Sequence, residues 1–217
     1  MIRILLSSCL ALSAWGQSVS FDSLKQGPLP REWSVAMTHE GGAPRWEILA
    51  DPSAPSKPNV IAQTSTDNTS GRFPLAVYEN AALVNGSVSV RFKPVSGERD
   101  QAAGIVWRFK DPDNYYIVRA NALENNVVLY KVEGGKRISL EPKGTPSKTY
   151  GVKHQVPKQV WSSLRVDFDG PRFTVLFDGV RIMEVEDGTF ASPGKTGLWT
   201  KADSVTYFDD FRIEVRK

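Results

Sequence analysis

GIVWRFKDPDNYYIVRANALENNVVLYKVEGGKRISL, residues 104–140, is the stretch on which the fold turns. Gly104–Phe109, Tyr115–Asn121 and Asn126–Val132 are short and rich in β-branched and aromatic residues, the composition of strands. Asp111-Pro112-Asp113-Asn114 separates Val106–Phe109 from Tyr115–Arg119, and Gly134-Gly135 divides Val127–Glu133 from Lys136–Leu140. Both breaks carry residues that tolerate tight or left-handed turns, so the segment reads as an antiparallel meander.

The same grammar continues on either side. Ser87–Phe92, Trp161–Phe168, Phe173–Phe177, Arg181–Val185 and Ser204–Val215 read as further strands, with Asp178-Gly179 as a hairpin turn. No run of ten residues combines helical spacing with a cap, and no fixed-period repeat is present. Asp51–Pro58 and Pro142–Pro146 read as surface loops, because strand patterns resume beside them. An all-β, two-sheet antiparallel sandwich is predicted, one domain over residues 17–217. Val19–Leu24 and Ser204–Val215 are expected to pair and so protect an edge.

The first sixteen residues have a different character. Arg3 precedes an uncharged apolar run, Ile4–Trp15, and Ala14 and Gly16 bracket Trp15. That is the layout of a secretory signal peptide over residues 1–16, cut between Gly16 and Gln17, and too short to span a bilayer. The sole cysteine, Cys9, lies inside it. An exported, periplasmic or extracellular chain with no disulfide follows, and thiol catalysis and Cys-ligated zinc are excluded from the mature form. The 27 Lys and Arg against 24 Asp and Glu give a net charge of +3. These charges alternate in sign without a basic block, so no nucleic-acid partner is expected. A monomer without a membrane span is.

Gly104-Ile105-Val106-Trp107-Arg108-Phe109, Asp113–Arg119 and Asn126–Tyr130 resemble the central meander of bacterial laminin-G-like, concanavalin A-like jelly rolls. More narrowly they resemble the 3-keto-disaccharide hydrolase, or family 16 glycosidase-like, domain. Trp161–Val166, Phe177-Asp178-Gly179, Gly197–Ser204 and Phe208–Phe211 are similar to the later strands of that domain, and Trp46–Ile48 and Asp51–Ser65 extend the likeness upstream. The resemblance implies a jelly roll and a carbohydrate-related role. One such sandwich hosts lectins, adhesion modules, lyases and hydrolases, so it does not assign a catalytic residue.

Strand parity supplies a site. If Ile105, Trp107 and Phe109 face the core, Arg108 faces out, with Tyr115 and Arg119 on the outward side of the next strand. Lys131, Trp199 and Lys201 are expected to join them. An open face of Arg108, Tyr115, Arg119, Lys131, Trp199 and Lys201 suits a saccharide, whose rings stack on aromatics and whose hydroxyls take hydrogen bonds from fixed cations. The competing reading has the long cationic stems simply covering a sheet.

Other candidates are sparser. Asp209, Asp210 and, on the opposite terminal strand, Asp22 form a possible structural calcium site, as related jelly rolls carry; no cofactor is required. Glu184 and Glu186 alternate on one strand about 7 Å apart, the nearest approach to a glycosidase carboxyl pair. His39 and His154 are the only histidines, too few for a zinc site, and His154 is a candidate base in a keto-sugar reaction. Serine-hydrolase elbows and phosphate loops are absent. Three readings remain: a carbohydrate-binding module, a glycoside-active enzyme of the 3-keto-disaccharide hydrolase or lyase type, and a laminin-G-like protein-interaction module.

Overall fold

A computed structural model describes residues 15–216. The leader expected over residues 1–16 lies almost wholly outside the described residues, and with it Cys9. Among the described residues the chain forms strands and no helix. In chain order these are β1 (Trp15–Val19), β2 (Gly27–Pro28), β3 (Trp33–Thr38), β4 (Trp46–Ala50), β5 (Asn59–Gln63) and β6 (Phe73–Leu83). They continue as β7 (Gly86–Ser96), β8 (Ala102–Asp111), β9 (Asn114–Asn121), β10 (Asn126–Glu133), β11 (Lys136–Ser139) and β12 (Val152–Lys153). The last five are β13 (Ser162–Asp169), β14 (Arg172–Phe177), β15 (Val180–Glu186), β16 (Gly194–Trp199) and β17 (Val205–Val215). No helix of the described residues is long and apolar enough to cross a membrane.

Two antiparallel sheets result. One runs β15-β14-β13-β7-β17-β5-β4-β2, with β1 also on β17; the other runs β11-β10-β9-β8-β16-β6-β3, with β12 on β10. The predicted turns behave as their residues require. Asp178 and Gly179 have φ of 46° and 78°, and Gly134 and Gly135 have 55° and 77°, the paired positive values of a tight hairpin. The chain ends do pair, but the N-terminal strand is β1, from Trp15↔Val215 to Val19↔Phe211, four residues upstream of the expected Val19–Leu24. A cut after Gly16 would leave Gln17–Val19 still paired with Phe211–Ile213.

The core between the sheets includes Ile105, Trp107, Tyr116, Val118, Leu129, Val166, Phe168 and Phe173. Trp107 stacks on Tyr116 at 5.4 Å and meets the edge of Phe173 at 5.2 Å. A second apolar cluster covers the other face of the eight-stranded sheet: Phe73, Leu75, Val106, Tyr115, Ile117, Val128, Tyr130 and Trp199. Both faces of β8, β9 and β10 are therefore buried. Curvature of the sheet brings distant strands together over that second cluster. The Arg137 guanidinium lies 4.7 Å from the Phe73 ring on β6 and 4.6 Å from the Tyr130 ring on β10. Those strands are four apart, about 19 Å in a flat sheet. At the same end His39, just past edge strand β3, joins Gly71 O to Gly135 O at 2.7 Å each, and the Thr38 hydroxyl donates to Pro112 O at 2.6 Å. One sheet edge thus reaches the turns that serve the other.

Candidate functional site

The expected open platform does not form: a bulge turns Arg108 inward, and the second apolar cluster covers the outer face. Register between β8 and β9 breaks after Trp107↔Tyr116 and resumes at Asp111↔Asn114, and Arg108 has φ 48°. Against β16, where Val106 pairs with Gly197 and Phe109 with Lys195, β8 carries one extra residue, which inverts the parity: Trp107 stays inward, Phe109 joins the second cluster, and Arg108 turns toward the inter-sheet side. Its guanidinium sits 5.9 Å from the Phe168 ring and 5.6 Å from that of Phe173. It donates to Phe190 O (2.8 Å), Gly170 O (2.6 Å) and Val84 O (2.9 Å), and only 1% of the residue is exposed. Gly194 faces this kink, where a Cβ would come within 2.4 Å of the Arg108 carbonyl carbon. Only a glycine lets β16 pass.

Lys131 also falls on the inner side, bonded to Thr189 at 2.7 Å and paired with Asp187 at 3.5 Å. Tyr115, Arg119 and Trp199 do share the outer face, yet all three are buried. The Tyr115 hydroxyl donates to Thr38 Oγ1 at 2.7 Å, whose own proton goes to Pro112 O, and burial pushes the Tyr115 phenol up to about 12. It is a neutral hydroxyl at physiological pH.

What the structure assembles instead is a polar cluster around Arg119, where β9 and β10 meet the Ala122–Asn125 turn. Arg119 Nη1 donates to Asn126 Oδ1 at 2.6 Å. Its Nη2 faces Glu124 Oε2 at 2.7 Å and the Tyr130 and Tyr150 hydroxyls at 3.1 Å each. The two phenols are themselves hydrogen-bonded. Arg119 Nε is buried without a partner. Burial would raise the Glu124 carboxyl, but the Arg119 charge and hydrogen bonds from Arg119 and Asn126 outweigh it and hold the group below the usual carboxylate range. Burial pushes the Tyr130 phenol well above its ordinary value. The set is a charged fork and a carboxylate fixed in place, under the Tyr150 ring, which is 48% exposed.

The cluster extends through Asn121, whose amide donates to Glu124 Oε1 (3.2 Å) and Asp100 Oδ1 (2.7 Å), and Asp100 pairs with Lys201 at 2.8 Å. Of the predicted residues, then, Arg119 and Lys201 meet in one network, with Tyr115 and Trp199 beneath the same face. Glu124, Asn126, Tyr130, Tyr150, Asp100 and Asn121 went unread in the sequence. The available signal was the turn Asn121-Ala122-Leu123-Glu124-Asn125-Asn126, four polar side chains between two apolar strands.

Asp203 positions this end of the sheet. Its carboxylate accepts the backbone N–H groups of Glu98 (2.7 Å), Arg99 (3.0 Å) and Asp100 (3.0 Å), tying the β7–β8 loop to the β16–β17 turn. Burial opposes ionisation, but these N–H donors prevail and lower the Asp203 pKa. A carboxyl lowered in the folded state contributes stability above its unfolded value of about 3.9, lost as pH falls through the folded value. Asp203→Asn is expected to cost about 1–3 kcal/mol at pH 7, with the gap from the parent chain narrowing at pH 2.5. Urea midpoints at the two pH values measure it; an equal gap at both would remove the carboxylate's role.

The remaining candidates lie apart. Among the described residues no three His, Cys, Asp or Glu side chains form a metal-holding group, so Asp22, Asp209 and Asp210 do not converge. Asp209 accepts from Ser56 N and Oγ at 2.8 Å each, Asp210 pairs with Arg212 at 3.2 Å, and Asp22 accepts from Asn59 N at 3.3 Å. Glu184 is engaged by Arg181 at 2.5 Å and Glu186 by Lys143. His154 packs on Phe177 at 4.3 Å.

No protein-family model matches the chain, and no curated protein does. Solved structures do. A carbohydrate-binding module, CBM66 from Bacillus subtilis, aligns with a TM-score of 0.62 at 17% identity, covering 83% of this chain and 94% of the module. Domain 4 of AbnA, a GH43 extracellular arabinanase from Geobacillus stearothermophilus in complex with arabinotriose, aligns at 0.54 and 15%, covering 92% and 91%. A protein of unknown function with a galectin-like fold, also from Bacillus subtilis, aligns at 0.50 and 13%, covering 93% and 100%. The likeness is one of fold: the antiparallel two-sheet sandwich that the strand pattern predicts, in the jelly-roll form that the resemblance implies.

Proposed function

We propose that this chain is an exported saccharide-binding module whose ligand contacts the Arg119 cluster, with Tyr150 as the outermost ring. The observation that carries the reading is the Arg119 guanidinium, buried and held by Glu124, Asn126 and two phenols beneath a half-exposed aromatic ring. Pre-fixed donors and acceptors beside a flat apolar surface are what a polyhydroxylated ring requires. The likeness in fold to a carbohydrate-binding module and to a domain crystallised with arabinotriose supports it. Lys201 and Asp100 extend the polar rim.

Glycan-array binding by the purified chain, followed by calorimetry on the best ligand and on arabinotriose, tests the reading. Tyr150→Ala and Glu124→Gln are each expected to weaken binding about tenfold, roughly 1.4 kcal/mol, with the fold intact because both side chains reach solvent. A silent array, or wild-type affinity in both variants, overturns it. The glycoside-active alternative rests on the sequence resemblance alone, and Glu184 and Glu186 stand as exposed ion pairs with Arg181 and Lys143.

A further inference from the structure

The outer face of the nine-stranded sheet carries a feature distinct from the Arg119 cluster. A cavity of about 240 Å³ opens there, lined by Ser89 and Arg91 of β7, Ser163 and Arg165 of β13, and Asp210 and Arg212 of β17. Strand register sets these side chains together: Arg91 lies opposite Ser163, and Ser89 lies opposite both Arg165 and Arg212. The bulge between Asp209 and Arg212, with Asp210 at φ 50°, brings Arg212 onto that face.

The charges are not equivalent. Arg165 is held by Asp167 at 2.7 Å and by Glu214 at 2.8 Å, and Arg212 by Asp210 at 3.2 Å. Arg91 has no carboxylate partner among the described residues, and its Nε is buried without a hydrogen bond. The hydroxyls of Ser89 and Ser163 line the same cavity. A buried donor is costly unless something accepts from it, and among the described residues neither adjoining hydroxyl does.

We propose that this cavity is an oxyanion-binding site centred on Arg91, taking a carboxylate or sulfate group. The guanidinium fork meets two oxygens at once, and Ser89 and Ser163 donate to the remaining lone pairs. Arg165 and Arg212 are neutralised by Asp167, Glu214 and Asp210, so the positive charge available to an anion is that of Arg91, and the rim acids limit how much anionic charge the site accepts. A cavity of this volume is smaller than a drug-sized pocket and holds one small group rather than an extended ligand. The chemistry is shared by a free inorganic anion and by an acidic sugar, and the test separates them.

Calorimetry of the full chain at low salt would use sodium sulfate, trigalacturonate and, as the neutral control, galactotriose. Sulfate and trigalacturonate are expected to bind and galactotriose not to bind at this site, with affinity falling as sodium chloride is raised. Arg91→Gln is expected to weaken the anions about 10- to 100-fold, Ser163→Ala about threefold, and Tyr150→Ala not at all. Tighter binding of trigalacturonate than of sulfate assigns the site to acidic sugars, and the reverse to the free anion. Absence of saturable binding by either anion, equal affinity in Arg91→Gln, or loss in Tyr150→Ala with retention in Arg91→Gln overturns the proposal. Because Arg91 is partly exposed, a melting curve matching the parent chain shows that the variant is folded.

Discussion

Arg108→Ala is expected to lower the unfolding free energy by about 3–5 kcal/mol, within the range for breaking a buried charged network. In a chain of this size that corresponds to a Tm fall of roughly 10 °C. Arg108 donates to the carbonyls of Val84, Gly170 and Phe190, which belong to three separate connections: the β6–β7 turn, the β13–β14 turn and the segment leading into β16. Among the described residues no acid neutralises it; backbone carbonyls and the faces of Phe168 and Phe173 stabilise the charge instead. Alanine removes the fork and leaves those carbonyls without their donor. Lysine offers a point charge in place of a planar fork and is expected to recover less than half of the loss. Chemical denaturation of the three proteins decides it. A cost below about 1 kcal/mol for alanine would mean that the side chain behaves like a surface residue. Saccharide affinity, measured where the variant is still folded, is expected to stay unchanged.

Arg119→Ala is expected to differ in that last respect. Removing it leaves Glu124, Asn126, Tyr130 and Tyr150 without their common donor, at a cost of about 2–4 kcal/mol. Saccharide binding is expected to weaken about 100-fold, roughly 2.7 kcal/mol. Near-ultraviolet circular dichroism distinguishes loss of the site from loss of the fold, since Trp107, Tyr116 and Phe173 report the inter-sheet core on the other side of the sheet. Arg119→Lys keeps a charge beside Glu124 but cannot reach Asn126 and both phenols in one plane, so it separates a need for charge from a need for geometry. A folded Arg119→Ala protein that binds normally would remove the site. The two arginines, eleven residues apart and both 1% exposed, are thus expected to fail in different ways.

Arg72 repeats the device. It donates to Gly42 O, Ala43 O and Ala202 O at 2.6, 3.1 and 2.8 Å, and to the Ser65 hydroxyl at 2.9 Å, joining three loops. With a single cysteine in the sequence no intrachain disulfide is available. Buried arginines aimed at loop carbonyls tie those loops together in place of covalent cross-links.

The contrast between β13 and β8 shows how far the sequence could be read. In β13, Leu164, Val166 and Phe168 alternate with Ser163, Arg165 and Asp167, and the structure buries the first set while the second meets solvent. In β8 to β10 the runs Ile105-Val106-Trp107, Tyr115-Tyr116-Ile117-Val118 and Val127-Val128-Leu129-Tyr130 are apolar at both parities. Strands apolar at both parities are buried on both faces. The expectation of an open outer face at Tyr115, Arg119 and Trp199 therefore conflicted with information already in the chain. The partition of β9, with Tyr115 and Ile117 to one side and Tyr116 and Val118 to the other, was legible and is observed.

Local chemistry determined the strands, the hairpin turns and the two-sheet class, because period, β-branching and Asp-Gly or Gly-Gly pairs act over a few residues. Only the tertiary structure decided where Arg108 points, since a bulge is one extra residue whose placement depends on the partner strand, and Gly194 is 86 positions away in the chain. It alone brought Tyr150 to Arg119, and Arg91 to Ser163 and Arg212. Such neighbours are set by sheet curvature and strand order, which no local window of sequence encodes.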